Sequence, residues 1–153
     1  MGEPVLVIGI GNDYRGDDAA GLAVVRALRV RQLEQVRLME CDGDCATLLE
    51  AWKDANKVIL VDAASSGVRP GTTHRFDMHT QTLPAGYTLS STHAFGITET
   101  LALARTLNQL PPCCIVYGIE GKHFATGDGL SPAVNHAIQR VVEHILADLQ
   151  NIS

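Results

Sequence analysis

The stretch Val5–Leu28 is VLVIGIGNDYRGDDAAGLAVVRAL. An apolar run from Val5 to Ile8 passes into Gly9-Ile10-Gly11-Asn12, and a short polar loop follows. The acidic pair Asp17-Asp18 then stands at the mouth of a segment with apolar residues at helical spacing. This pattern predicts a strand, a tight glycine turn and a helix start, with carboxylates where the helix begins. Ligands of open α/β sheets sit outside the carboxyl ends of the strands. The loop is therefore the first place to look for chemistry.

Working outward, Asp18 to about Leu33 is predicted helical, because Leu22, Val25 and Leu28 share a face. Gln35–Cys41 is a predicted strand that ends at the turn signal Asp42-Gly43, and Asp44 caps a predicted helix over Cys45–Ala55. Lys57–Ala63 carries an apolar run without alternation, as a strand buried on both faces of a parallel sheet should. Thr72–Asp77 alternates more and follows Pro70-Gly71, which predicts an antiparallel edge strand. A helix is predicted from His93 to about Asn108, with Gly96 weakening its first turn. Cys113–Tyr117 is the last predicted strand, ending at Gly118. Ser131-Pro132 opens the final helix, Ser as cap and Pro at the first helical position.

Strands alternating with helices imply a mostly parallel sheet covered on both faces. The expected fold is α/β, a three-layer sandwich with a mostly parallel twisted five-stranded sheet, one antiparallel edge strand, and helices on both faces. The 153 residues suit a single domain over 1–153, able to bury about 70% of the unfolded surface. No linker, repeat or low-complexity segment interrupts them.

Composition narrows the function. A formal net charge of −5 argues against a general nucleic-acid binder, which shows a basic patch or stripe. No apolar run approaches the roughly 20 residues that span a bilayer. Pro4 leads straight into the first strand without a signal-like core, so a cytoplasmic location is expected. Cys41, Cys45, Cys113 and Cys114 lack zinc-knuckle spacing. Cys113 and Cys114 lie in an apolar run where buried free thiols are common.

Gly9-Ile10-Gly11-Asn12 invites a dinucleotide reading, but the third glycine of that fingerprint would fall at Tyr14. Asp13, Asp17 and Asp18 would also repel a pyrophosphate at the helix N-terminus. The carboxylates need another account. Asp17 suffices as a helix cap, and Asp18 beside it creates repulsion that a bound cation would relieve. Asp62 ends a buried strand at the rim where α/β sites are built. His93 starts a helix, where the dipole favours the neutral imidazole that binds metal. Two carboxylates and one imidazole make an open site for a borderline divalent metal, with zinc, nickel, manganese and iron all compatible. His74, His79, His123, His136 and His144 read as surface or edge residues. With no GxSxG elbow and no HExxH helix, a hydrolase here would use water as its nucleophile. Cys41 or Cys45 is the alternative, with no histidine adjacent in sequence.

Five blocks in order carry a resemblance: Gly9-Ile10-Gly11-Asn12, Asp17-Asp18 with Gly21, Asp42-Gly43, Val61-Asp62-Ala63 and Ser91-Thr92-His93. Together they resemble the hydrogenase maturation protease family, the endopeptidases that trim the C-terminal extension of [NiFe] hydrogenase large subunits. The resemblance implies a mainly parallel α/β fold and assigns catalytic and metal-binding roles to Asp18, Asp62 and His93. It further implies that nickel arrives already inserted in the large-subunit precursor and signals readiness, with no permanent metal required of the enzyme. Asp42 becomes a substrate-side group. The chain departs from the family at Ala19, where many members carry Gly, and at Asp44-Cys45, where small residues are common. Neither departure removes a ligand. The expected partner is the precursor, with neither nucleic acid nor membrane, and the expected state is a monomer.

Two other readings compete. A peptidyl-tRNA hydrolase shares a Gly-x-Gly-Asn-like turn, but Asp13-Tyr14 and Asp17-Asp18 stand where its basic and histidine elements would follow, and the net charge of −5 suits tRNA poorly. A non-catalytic metalloprotein assembly factor would bind the precursor without cutting it.

Overall fold

Every residue of Val5–Ile10 is buried, as befits a strand with neighbours on both edges and helices on both faces. This is β1. The computed structural model describes residues 4–89 and 95–152. After β1 come a single 3₁₀ turn at Gly16–Ala19, then α1 (Ala20–Val30), β2 (Val36–Cys41), α2 (Cys45–Trp52) and β3 (Lys57–Ala64). β4 (Thr73–Asp77), α3 (Ile97–Thr106), β5 (Cys113–Glu120) and α4 (Pro132–Ile152) complete the chain.

The five strands form one sheet in the order β2-β1-β3-β5-β4. β2, β1, β3 and β5 run parallel, and β4 pairs antiparallel with β5 at the edge. This is the mostly parallel sheet with one antiparallel edge strand that the alternation of elements predicted.

Two cores lie on either side of the sheet. Val5, Val7, Ile59, Val61, Ile115 and Tyr117 face α1 and α4. Leu6, Ile8, Val58, Leu60, Cys114 and Val116 face α2 and α3. Neighbouring residues of β1, β3 and β5 thus enter opposite cores, which is why these strands read as unbroken apolar runs. Burying each such aliphatic side chain stabilises the fold by about 1.5–3 kcal/mol.

Several boundaries differ from the sequence reading. α1 begins at Ala20 because the acidic pair is taken up in the 3₁₀ turn before it. α3 begins at Ile97, with Gly96 as its N-cap and the Glu99 carboxylate accepting the Gly96 N–H at 2.8 Å. Gly96 therefore caps the helix instead of weakening its first turn. β5 runs on through Gly118 to Glu120, still paired with the end of β3. Among the described residues no helix is long and apolar enough to cross a membrane.

Candidate active site

Parallel strands bring their carboxyl ends to one rim. β2 ends at Cys41, β1 at Ile10 and β3 at Ala64, so the residues that follow share one edge of the sheet. Glycine makes the closest approach there. A Cβ on Gly9 would collide with the Gly21 carbonyl, and a Cβ on Gly21 with the Val61 and Ile10 carbonyls. The two glycines let α1 lie directly on β1 and β3, which draws the Asp17-Asp18 turn down onto the rim. These glycines serve packing.

The two adjacent aspartates diverge. Asp17 is fully buried and accepts from Lys122 N (2.7 Å), His123 N (3.1 Å), Ser131 N (2.7 Å) and Ser131 Oγ (3.0 Å). It does not cap its own helix, since the turn it sits in has no side-chain cap. Instead it pins the loop between β5 and α4. Burial works to raise its carboxyl, but the Ser131, Lys122 and His123 N–H groups outweigh burial and leave it below the ordinary aspartate value. Ser131 stands just before α4, as expected, and its carbonyl accepts Asn135 N at 2.9 Å. Its hydroxyl, however, is turned toward Asp17.

Asp18 is buried with Arg15 3.8 Å away. Its neighbour across the rim is Asp62, fully buried near the end of β3. Asp62 Oδ1 accepts the Ala63 N–H at 2.8 Å, whereas Oδ2 has no hydrogen-bond partner among the described residues. Burial pushes the Asp62 carboxyl well above the ordinary value, the Asp18 charge adds to the rise, and the Ala63 N–H opposes it. Two buried carboxylates at one rim, one with an open oxygen, suit a site that receives a proton or a cation.

His93 lies outside the described residues, so the geometry joins two of the three expected ligands, Asp18 and Asp62. Among the described residues no three His, Cys, Asp or Glu side chains form a metal cluster. Asp42 is exposed at the end of β2, and its Oδ1 accepts Asp44 N at 3.2 Å. Asp44 caps α2 as predicted, through Thr47 N at 3.1 Å. Burial, with Asp42, Asp62 and Asp44 adding to it, pushes the Cys41 thiol up, so Cys41 is held as the poorly nucleophilic thiol.

The profile described as HycI, hydrogenase maturation protease, matches residues 22–148. The chain belongs to the hydrogenase maturation protease family. It is 29% identical to the hydrogenase 2 maturation protease of Escherichia coli over 150 residues, covering 95% of this chain and 90% of that one. A putative hydrogenase maturation protease of Methanocaldococcus jannaschii is 29% identical over 152 residues, covering 95% and 96%. The structure superposes on the [NiFe] hydrogenase maturation protease HybD from Thermococcus kodakarensis with a TM-score of 0.75 at 26% identity, covering 95% and 98%. It matches the maturating endopeptidase HybD from Escherichia coli with a TM-score of 0.76 at 25% identity, covering 98% and 94%. This hydrogenase maturation protease is accordingly a peptide hydrolase, as its sequence resemblance implied.

Sequence reading missed several residues at the rim. Glu120, buried, accepts from Ser66 N at 2.9 Å and Gly67 N at 3.2 Å, fixing the loop after β3. Its only sequence signal was a charge after an apolar run. His74 lies on the edge strand, as read, but its Nδ1 is buried and its ring meets Tyr87 edge-on at 5.0 Å. The alternation of β4 held the signal, since His74 shares the face of buried Phe76. Tyr87 falls between the predicted strand Thr72–Asp77 and the helix predicted from His93.

Proposed function

We propose that this protease removes the C-terminal extension of a [NiFe] hydrogenase large-subunit precursor after nickel insertion, reading the bound nickel through Asp18, Asp62 and His93. The observation that carries the reading is the open Oδ2 of fully buried Asp62 beside Asp18. A carboxylate in that position lacks the compensation that burial demands, and a cation brought by the precursor supplies it. Nickel here is cargo of the substrate: thiolates of the precursor hold it, and the protease adds ligands at the positions left open. That geometry anchors the scissile peptide beside the rim. Water adds to the scissile carbonyl, the C–N bond breaks, and the released amine takes a proton. The protonated-thiol character of Cys41 favours water as the nucleophile.

Asp42, exposed at the same rim, is the proposed contact for the precursor tail. The proposed working state is a monomer in the cytoplasm. The four free cysteines accord with a reducing compartment. The test is processing of nickel-loaded precursor by Asp18→Asn, Asp62→Asn and His93→Ala. Each variant is expected to lose most of its cleavage, and near wild-type cleavage by all of them rules out the site. A precursor that binds but keeps its mass would favour the assembly-factor reading.

A further inference from the structure

Three of the four buried side-chain polar atoms without a hydrogen-bond partner among the described residues are Asp62 Oδ2, Tyr87 Oη and His74 Nδ1. They lie in one row. Asp62 on β3 is in register with Gly118 on β5, and Gly118 is in register with His74 on β4. The middle position has no side chain, and the end of Tyr87 fills the space: a Cβ on Gly118 would collide with Tyr87 Oη.

Tyr87 is held there from several directions. Its ring meets His74 at 5.0 Å and Phe76 at 5.0 Å, both edge-on. Its backbone N–H donates to Pro84 O at 3.0 Å, Ser65 N donates to Thr88 O at 2.8 Å, and Leu89 forms a bridge with Ala64. The segment is thus laced to the strand end that carries Asp62. Burial pushes the phenol up, with the Glu120 and Asp62 charges adding to it, so Tyr87 keeps its proton and can donate it in a hydrogen bond.

We propose that Tyr87, backed by His74, is a positioning residue for Asp62, its hydroxyl donating to Asp62 Oδ2 when the precursor engages the site. The inference rests on the reading of Asp62 as a ligand of the precursor's nickel. A carboxylate oxygen has two lone-pair directions, so Oδ2 can accept from Tyr87 and still face the cargo. His74 Nδ1–H then donates to Tyr87 Oη, and each orphaned atom of the row gains a partner. Hydrogen bonds of this kind often close only in the substrate complex. Partners that orient a metal-binding carboxylate commonly change activity strongly without touching substrate.

The test compares wild type, Tyr87→Phe, Gly118→Ala and Asp62→Asn on nickel-loaded large-subunit precursor, with kcat, KM and Tm measured for each. Tyr87→Phe keeps the ring packing and removes only the hydroxyl. It is expected to lower kcat roughly 10–100-fold with KM and Tm close to wild type. Gly118→Ala leaves every hydroxyl in place but displaces Tyr87 Oη, and is expected to show the same kcat loss. The double variant is expected to lose no more than either single one. A kcat near wild type in Tyr87→Phe overturns the inference, as does a rise in KM alone. If Tyr87→Phe does not fold, Gly118→Ala decides by the same criteria. Asp62→Asn separates the two claims. If it is inactive while Tyr87→Phe is fully active, only the positioning role fails. If Asp62→Asn cleaves like wild type, the reading of the site fails and the positioning role with it.

Discussion

Asp17→Ala separates architecture from chemistry at two adjacent aspartates. Asp17 accepts from three backbone N–H groups and one hydroxyl of residues Lys122, His123 and Ser131, all across the chain. The Lys122 and His123 amides are part-buried and can regain water, so losing their acceptor costs about 1 kcal/mol each. The Ser131 N–H and Oγ are buried, and each costs about 1–2 kcal/mol when left without an acceptor. Removing the desolvated carboxylate returns some of this, for a net loss of about 3–4 kcal/mol. For a chain of this size that is roughly a 6–16 °C fall in Tm. Urea unfolding and calorimetry measure it directly. Asp18→Ala, examined in the same way, is expected to change stability far less while losing processing. A loss below about 1 kcal/mol in Asp17→Ala would refute the assignment of Asp17 as the clamp on the loop before α4.

Other consequences are as definite. Gly21→Ala places a methyl against the Val61 and Ile10 carbonyls, and overpacking against backbone is expected to cost about 3 kcal/mol or more, read as a lower midpoint in urea. Asp62→Asn is expected to stabilise the precursor-free enzyme in a pH-dependent way. Its folded-state carboxyl lies above the unfolded value, so wild-type stability from the protonated form is complete below about pH 4 and is lost as pH rises through the folded value. The advantage of Asp62→Asn over wild type therefore grows above about pH 4 in thermal melts, and an advantage that shrinks with rising pH contradicts the burial account. Arg26→Ala removes exposed ion pairs with Asp13 and Glu40, and is expected to change stability by no more than about 1 kcal/mol in urea unfolding.

The glycine turn, the acidic pair and the strand carrying Asp62 were all legible in the sequence because each is a local pattern. So were the parallel core, which shows as unbroken apolar runs, and the antiparallel edge, which shows as alternation at Thr73–Asp77. What escaped was non-local. Asp17 looked like a cap for the helix beside it, but its donors lie 105 to 114 positions away. Gly118 looked like the end of a strand, but the strand continues, and the missing side chain makes room for Tyr87 from another segment. At Gly96 the backbone N–H donates to the Glu99 carboxylate, which makes this glycine the cap of the helix Ile97–Thr106. No window around Asp17 or Gly118 contains the partner that decides its role.

The proposed role of the Asp18–Asp62 rim is to answer to nickel carried by the precursor. Its most direct test is the mass of the large subunit after incubation with wild-type enzyme, with nickel-loaded and nickel-free precursor run side by side. Loss of the C-terminal extension from the nickel-loaded precursor alone is expected. Equal trimming of the nickel-free precursor would contradict it.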